Sequence, residues 1–477
     1  MDKLSSRAVD LRSIGGKPEE AVWQNWTDAY SASAEEVREF QVAALRTRFD
    51  GMVDKITVLG NLAREQGISN IRRIEDGAAL LLRHSAYKSY PLGLIERNNF
   101  ERLTQWMGSF TLHDLSKFDA RGLESMDDWI DRLDQTTPLR VLHTSGTSGK
   151  LSFLPRSTVE MPMALRGWQQ NFDYFGDEPH RLPPEGLRSL SMIFPGYRYG
   201  ANAPNRMLDL FCEELYGGDE SKILTMIPER LSADLLSFSG RFAVAESRGD
   251  IGREQISPRI LALGETARRR QAELPARKRE FIDVILQRLR GQRVMFFGYW
   301  GMLYDLAMEC KERGVTGLFS PDSLIWCSGG TKGRTFPENY QHFITESIGA
   351  HIQQGFGMSE TVTVSPMCPS GNYHVAPCMI PYILDPRSGE QSPRTGVHTG
   401  RLGILDLLAM TYWGGTLTGD EVTLSWGDTE PCACKRKGAY MHGHIRRYSD
   451  KEGGDDKIAC AGVPEALDRA LDFIKEL

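Results

Sequence analysis

Apolar residues recur at helical spacing through the first part of the chain. Ser33 is followed three positions later by Glu36, the sequence signature of a capping box, and apolar side chains then recur every three or four positions from Val37 to Leu59. This pattern predicts one long helix. Similar patterns predict further helices at 72–84, 95–107 and 127–133.

Short apolar runs that end in glycine-rich turns replace this pattern in the second half of the chain. Such runs are typical of buried strands. They alternate with helical stretches, which predicts an α/β body with a largely parallel sheet. The predicted strands are 294–297, 323–327 and 351–354, and the predicted helices are 303–310, 337–348 and a charged stretch at 265–290 that breaks near Pro275.

Strands and turns are more closely spaced from residue 373 to residue 424, which predicts a β-rich subdomain. Within it, residues 403–408 are predicted to form a strand. Residues 417–421 are predicted to form a loop that displays the carboxylate of Asp420.

The composition is ordinary for a soluble globular protein, with 40% hydrophobic and 25% charged residues among 477. A net charge of −6 argues against nucleic acid or an anionic membrane as the main partner. The chain has no apolar run of about 18 residues, and its N-terminal sequence has no apolar segment typical of a signal peptide, so we expect a cytoplasmic location. The 8 cysteines are too sparse for a disulfide framework and indicate reduced thiols or metal ligands.

A stretch of small residues follows the predicted strand that ends at Leu142. Its backbone N–H groups could form an anion nest, its hydroxyls add donors, and Lys150 adds a positive charge. The common phosphate loop G-x-x-x-x-G-K-[ST] does not fit, because Thr144 stands five positions before Gly149 and Leu151 follows Lys150. Taken alone, the stretch is equally typical of a surface turn. Its residues are Thr144, Ser145, Gly146, Thr147, Ser148, Gly149 and Lys150.

Three segments in this order resemble motifs of the adenylate-forming superfamily, which includes acyl-CoA synthetases, peptide-synthetase adenylation domains and luciferases. Residues 144–150 look like its ATP loop, residues 355–360 look like its Y-G-x-[ST]-E motif, and Gly419 with Asp420 is similar to its T-G-D motif. The resemblance covers about residues 85–450. Segments 371–374, 382–390 and 432–436 are most similar to the branch of phenylacetate-CoA ligases and acyl-protein synthetases of bacterial luminescence.

The resemblance implies that a carboxylic acid and ATP, with Mg²⁺, give an acyl- or aryl-adenylate and pyrophosphate. Attack on a negatively charged α-phosphate needs charge neutralisation and positioning more than an acid or a base. Ser359 would donate to the α-phosphate, Glu360 would bind Mg²⁺, and Asp420 would accept from the ribose hydroxyls. Lys150 and residues 144–149 would bind the β- and γ-phosphates. Further nucleotide contacts are implied for Ser328, Gly329, Gly330, Phe356, Gly357 and Arg447, whereas Tyr299 and Trp300 are either acyl-pocket residues or ordinary core aromatics.

Four side chains form a second constellation, independent of the nucleotide motifs. Cys368 and His374 are separated by five residues, and Cys432 and Cys434 by one, which gives three sulfurs and one imidazole. This is a closed tetrahedral set for a structural Zn²⁺. Cys378 is a competing ligand, and free cysteines are commonly just packed, but we expect zinc.

The end of the chain departs from the superfamily pattern. Members carry, after a hinge, a C-terminal domain with a catalytic lysine, but here only residues 448–477 follow Arg447. We therefore expect that domain to be largely missing. Three consequences are then open: a partner protein supplies the missing part, Cys460 takes part in acyl transfer, or catalysis is lost. The predicted parts are an N-terminal arm and helical region at 1–84, a large domain at 85–445 with its β-rich subdomain at about 366–445, and a short C-terminal segment at 446–477.

These features support two functional hypotheses. The first is an ATP-dependent ligase that transfers the acyl group to CoA, a carrier protein or an amine nucleophile. The second is a non-catalytic subunit that binds nucleotide or acyl groups within a ligase complex. The long N-terminal helix would pack either on the body or against a second subunit in a homodimer.

Overall fold

The computed structural model describes residues 11–22, 30, 32–144, 150–175, 186–248, 258–328 and 334–448. The predicted residues Ser145, Gly146, Thr147, Ser148, Gly149, Gly329, Gly330 and Cys460 lie outside these ranges.

Most of the α-helices precede or separate the strands of the two large sheets. The α-helices are α1 (Leu11–Ile14), α2 (Pro18–Val22), α3 (Ala34–Met52), α4 (Thr57–Glu65), α5 (Leu92–Glu96), α6 (Phe100–Gly108), α7 (Met126–Thr136), α8 (Glu160–Phe175), α9 (Ala203–Leu210), α10 (Ala233–Arg248), α11 (Pro258–Val284), α12 (Trp300–Glu312) and α13 (Tyr340–Ile348). Short 3₁₀ segments occur at Ile74–Leu80, Ala86–Lys88, Gly186–Ser189 and Glu220–Lys222, and π-helical segments at Phe211–Leu215 and Ile285–Leu289.

The strands form two large sheets and one small hairpin. They are β1 (Leu82–Arg83), β2 (Leu142–His143), β3 (Phe153–Leu154), β4 (Ser191–Tyr199), β5 (Ile223–Arg230), β6 (Val294–Gly298), β7 (Leu324–Ser328), β8 (Ile352–Phe356), β9 (Ser365–Pro366), β10 (Tyr373–His374), β11 (Met379–Leu384), β12 (Val397–Asp406), β13 (Gly415–Ser425), β14 (Tyr440–Met441) and β15 (Arg446–Arg447).

The first sheet has the strand order β5-β4-β6-β7-β8-β9 and is parallel except for the edge strand β9. Helices follow β6 and β7, and buried apolar side chains fill both faces of the sheet. The predicted α/β body with a largely parallel sheet is therefore confirmed. Because its strands are parallel, the turns after β7 and β8 meet at one edge.

The second sheet is mostly antiparallel, with the path β10-β14-β13-β12-β11, and β1 and β15 also pair with β13. Residues 417–421 were predicted as a loop, but they lie inside the strand β13, so that prediction is wrong. The pairing explains the difference, because β13 is flanked by β12, β14, β1 and β15 along its length.

The N-terminal helices differ from the predicted pattern in one respect. Ser33 and Glu36 form the predicted capping box, but the helix ends at Met52 and a second one begins at Thr57. Ile56 between them is extended and fully buried, with φ −94° and ψ 103°. Burial of this side chain in the core overrides the continuous helical pattern of the sequence.

Two further helix predictions are corrected. Residues 72–84 form the 3₁₀ segment and β1 in place of an α-helix, because β1 joins the second sheet beside β13. Residues 95–107 are interrupted where Asn98 adopts φ 51°, and the Asn99 side chain then caps α6 by accepting from the Arg102 backbone N–H at 3.2 Å.

The predicted break near Pro275 is absent, since α11 continues through that residue. The carboxylate of Glu229 in β5 lies 3.7 Å from the Arg270 guanidinium and 2.8 Å from that of Arg277. These two arginines stand on either side of the proline. Ion pairs to the neighbouring strand therefore fix both halves of the helix against the body.

No helix in the described part of the chain is both long enough and apolar enough to cross a membrane.

Candidate functional site

A small antiparallel hairpin carries the stretch that was compared with an ATP loop. Strands β2 and β3 pair in register Leu142 with Leu154, and the hairpin extends to a bridge between Leu139 and Ser157. The strand before the stretch thus belongs to this hairpin and not to the parallel sheet. Thr144 closes the turn, because its backbone N–H donates to the Ser152 carbonyl at 3.1 Å.

Lys150 is bound near the base of this turn. Its Nζ donates to the Tyr90 carbonyl at 2.8 Å and lies 5.4 Å from the centre of the Tyr90 ring. Within the described residues, no contact joins Lys150 to Ser359 or Glu360. The predicted cation of the loop is therefore held at Tyr90 in this structure.

The segment after β8 carries Ser359 and Glu360, and buried side chains hold its backbone. Arg156, in the returning strand of the hairpin, donates to the Ser359 carbonyl at 3.0 Å and also to the Thr361 carbonyl. The hydroxyl of Tyr412 donates to the Glu360 carbonyl at 3.1 Å. Three consecutive carbonyl groups are thus satisfied by side chains that come from elsewhere in the chain.

Asp406 binds the backbone of the next two residues, Val362 and Thr363. One of its carboxylate oxygens accepts from the backbone N–H groups of Val362 and Thr363, both at 2.7 Å. The other accepts from the Thr363 hydroxyl and the Leu408 N–H, both at 2.9 Å. Burial raises the pKa of Asp406, while these hydrogen bonds oppose the rise by favouring the charged form.

Asp420 and Arg447 lie together on the second sheet. They are directly opposite in the pairing of β13 with β15, and the Arg447 Nε lies 3.5 Å from an Asp420 carboxylate oxygen. The carboxylate of Asp420 is mostly buried, with 10% of the side chain exposed, whereas Arg447 is 59% exposed. The arrangement presents a carboxylate backed by a cation.

Electrostatics connect this pair to Glu360. Burial raises the pKa of Glu360, Arg156 and Arg447 lower it, and Asp420 raises it. The pKa of Glu360 is thus influenced by two guanidinium groups and one further carboxylate. Oxygen ligands of this kind suit Mg²⁺, and guanidinium groups suit phosphate.

The remaining predicted nucleotide contacts flank this neighbourhood. Ser328 ends β7 and stands opposite Gly355 of β8 in the parallel register. Phe356 ends β8, and its ring centre lies 6.2 Å from that of Tyr373. Gly357 packs closely, because a Cβ there would meet a Val364 methyl at 3.1 Å. The two adjacent strand ends therefore border one edge of the sheet.

Sequence reasoning missed Arg156, Asp406 and Tyr412. Asp406 and Tyr412 carry no local signal, since each is a single polar group beside a buried strand. The only signal for Arg156 is one arginine at the end of the otherwise mostly apolar segment 151–156. Their contacts with residues 359–363 depend on long-range packing.

The structure shows the surroundings of two other residues that the sequence singled out. Trp300, considered for an acyl pocket, is 6% exposed and contacts Tyr340 edge to face at 5.4 Å within the core under the parallel sheet. Cys378, the competing metal ligand, is fully buried in the other core, where its sulfur lies 3.8 Å from the Pro18 carbonyl.

The four predicted zinc ligands converge. Their candidate ligand atoms all lie within 4.8 Å of one another. The sulfurs of Cys368 and Cys432 are 3.7 Å apart, and the Cys434 sulfur is 3.3 Å from the His374 Nε2. Two sulfurs at about 2.3 Å from one tetrahedral ion would be separated by about 3.8 Å, which agrees with the first distance.

The environment of this cluster also favours ligand chemistry. Burial lowers the pKa of His374 to about 4, so the imidazole is neutral at physiological pH. The Asn372 amide donates to the Cys432 sulfur at 3.5 Å, and Lys435 adopts φ 67° in the turn that closes on the Cys432 carbonyl. These contacts fix the two turns that carry the cysteines.

Solved structures share this fold, whereas no protein-family model and no curated protein match the chain in sequence. A 2-hydroxyisobutyryl-CoA ligase with an R3-HIB-AMP ligand, in its postadenylation state, superposes with a TM-score of 0.50 over 88% of this chain and 70% of its own, at 12% identity. The same ligase with 2-HIB-AMP and CoA, in an open conformation, gives a TM-score of 0.48 over 89% and 72%, also at 12% identity.

O-succinylbenzoate coenzyme A synthetase from Bacillus subtilis, in complex with ATP and magnesium, gives a TM-score of 0.36 over 66% of this chain and 51% of its own, at 16% identity. At these identities the likeness concerns the fold. The chain therefore has the mixed α/β fold seen in 2-hydroxyisobutyryl-CoA ligase, an adenylate-forming CoA ligase.

Proposed function

We propose that this protein activates a carboxylic acid with MgATP, forming an acyl- or aryl-adenylate and releasing pyrophosphate. The observation that carries the proposal is the electrostatic influence on Glu360, which follows the first sheet, of Asp420 and Arg447, which pair in the second sheet. Two of these residues belong to motifs that resemble the adenylate-forming superfamily. The fold shared with a ligase that holds an acyl-adenylate supports the same reaction.

The reaction joins a carboxylate oxygen of the acid to the α-phosphorus and breaks the bond from that phosphorus to the bridging oxygen of pyrophosphate. A bound Mg²⁺ would neutralise phosphate charge. Glu360 would ligate that ion, Ser359 would donate to the α-phosphate, and Asp420 would accept from the ribose hydroxyls. Arg447 would orient the carboxylate of Asp420, and Lys150 would leave Tyr90 to meet the outer phosphates. Positioning and charge neutralisation are the chemistry that these groups can supply.

Acid-dependent exchange of labelled pyrophosphate into ATP tests the proposal. Purified protein is assayed with a panel of short aliphatic, aromatic and long-chain acids, and at least one acid should support exchange that requires Mg²⁺. Glu360→Gln should abolish the exchange while circular dichroism stays unchanged. Glu346→Gln, at a glutamate whose side chain is 71% exposed, is the matched control and should retain activity.

ATP binding without exchange for any acid would contradict the proposal. It would favour the second hypothesis, a nucleotide-binding subunit that regulates or scaffolds a ligase. Once a substrate acid is known, CoA, a carrier protein and amines can be compared as acyl acceptors by product analysis.

We also propose that Cys368, His374, Cys432 and Cys434 hold a structural Zn²⁺. The four-ligand set leaves no open position, which is typical of structural sites. Tyr373 precedes His374 in β10, and its ring contacts that of Phe356. Phe356 stands three residues before Ser359. The ion would thus stabilise the turns beside the nucleotide site.

Metal analysis of protein purified without chelators should give about one zinc per chain for a single closed site. Cys432→Ser should lower the zinc content and the thermal midpoint together. Cys378→Ser, which alters a buried cysteine outside the cluster, is the control and should keep its zinc. A wild-type zinc content far below one per chain would refute this site.

A further inference from the structure

Residues 359–363 are held at their backbone by three buried side chains. Arg156 binds the carbonyls of Ser359 and Thr361, Tyr412 binds that of Glu360, and Asp406 binds the next two backbone N–H groups. Arg156 is 6% exposed, Asp406 1% and Tyr412 fully buried. The conformation of the segment is therefore determined by groups outside it.

Arg156 is itself firmly placed. Its carbonyl accepts from the Arg140 N–H at 2.6 Å across the hairpin. In the next turn, the buried carboxylate of Glu160 accepts from the backbone N–H groups of Met410 at 3.1 Å and Thr411 at 2.7 Å, directly before Tyr412. The hairpin, the connection between β12 and β13 that carries Tyr412, and the Ser359 segment thus form one connected unit.

The bonding of Arg156 is unusual for a buried cation. Within the described part of the chain it makes no ion pair, and its Nε has no hydrogen-bond partner. Its hydrogen bonds to residues 359 and 361 go to neutral carbonyls, whereas buried charges are ordinarily paired. The guanidinium also acts on Glu360, since Arg156 lowers the pKa of that carboxyl group.

We propose that Arg156 is a positioning residue of the candidate nucleotide site. Its guanidinium holds the Ser359 and Thr361 carbonyls, so that the Ser359 hydroxyl and the Glu360 carboxylate keep their orientation towards nucleotide and metal. Arg156 also connects the hairpin of β2 and β3 to the segment that carries Glu360. This inference rests on the proposed function and assigns a role to a residue outside the recognised motifs.

Substitution of Arg156 tests this role in the full-length protein. Arg156→Met removes the Nη2 donor and the charge, and we expect kcat for pyrophosphate exchange to fall about 100-fold, the effect of a misplacement of about 1 Å. The KM for ATP should change much less, because Asp420 remains. Arg156→Lys keeps the charge on a more flexible side chain and should give an intermediate kcat.

Two readouts separate positioning from a merely structural role. Hydrogen–deuterium exchange should rise in the peptide that covers residues 359–363 in Arg156→Met and stay unchanged elsewhere. In Arg156→Ala, added guanidinium chloride at low concentration should restore part of kcat, whereas an alkylammonium salt of equal ionic strength should not. Arg394→Met is the matched control, since Arg394 donates to the Pro381 carbonyl at 2.8 Å in the second sheet.

The outcomes remain distinguishable from those of the proposed function. If no acid supports pyrophosphate exchange by the wild-type protein, the proposed function is wrong. The deuterium uptake of residues 359–363 in Arg156→Met still tests whether Arg156 positions this segment. Unchanged uptake and unchanged kcat in Arg156→Met would overturn the inference. If that variant does not fold, Arg156→Lys decides by the same two measurements.

Discussion

Replacing Asp406 by asparagine should lower the free energy of unfolding. The hydrogen bonds of its carboxylate allow an estimate of this loss. Each carboxylate oxygen accepts from at least one backbone N–H, so either orientation of the asparagine amide points its NH₂ group at a donor. The less costly orientation faces Leu408 and leaves one buried N–H without a partner, at about 1–3 kcal/mol. The bonds to Val362 and Thr363 also change from charge-assisted to neutral, at about 1 kcal/mol each.

The substitution also removes a buried charge, and this offsets part of the loss, since burial raises the pKa of Asp406 and so disfavours its charged form. The expected net loss is about 2–4 kcal/mol in the free energy of unfolding. It should be measured by urea denaturation followed by tryptophan fluorescence, with the m-value checked against the wild type. Asp385→Asn is the control, because this exposed carboxylate accepts from the backbone N–H groups of Arg387 and Ser388 in contact with water, and its loss should be much smaller. Equal losses in the two variants would refute the reasoning.

Two further predictions concern other parts of the body. Burial, together with the nearby Asp127, raises the pKa of Asp234, so the folded state binds this proton more tightly than the unfolded state and stability should fall as pH rises above about 4. Asp234→Asn mimics the protonated form, so its free energy of unfolding, measured by urea denaturation between pH 5 and 8, should fall less with pH than that of the wild type. An equal decline in both proteins would contradict this prediction. In β8, Gly355→Ala would place a Cβ 2.5 Å from the Trp326 ring and 2.7 Å from a Val364 methyl, and should cost about 1–3 kcal/mol by overpacking. Gly419→Ala, which has open space around it, is the strand control in the same denaturation assay, and a comparable loss there would argue against overpacking.

Sequence patterns determined the elements whose cause is local. Ser33 and Glu36 lie within one turn of each other, so their capping box could be recognised from spacing alone. The strands β6 and β7 are short apolar runs that end at glycine or serine, and the alternation of such runs with helices led to the parallel sheet. The cysteine and histidine spacings also selected the four side chains that the fold brings within 4.8 Å.

Tertiary contacts decided the features whose cause lies far away in the sequence. The helix α11 continues through Pro275, and Glu229, from another element, pairs with arginines on both sides of it. Asp420 lies in a strand and not a loop because four other strands pair with β13.

For the same reason, the sequence did not reveal which side chains bind the backbone around Glu360. Arg156 is 203 positions from Ser359, and Tyr412 is 52 positions from Glu360, so no local periodicity connects them. The sequence by itself determined which segments carry the candidate chemistry. Only the tertiary structure decided which buried side chains hold those segments, because a buried carbonyl or N–H must find a partner wherever the packed chain supplies one.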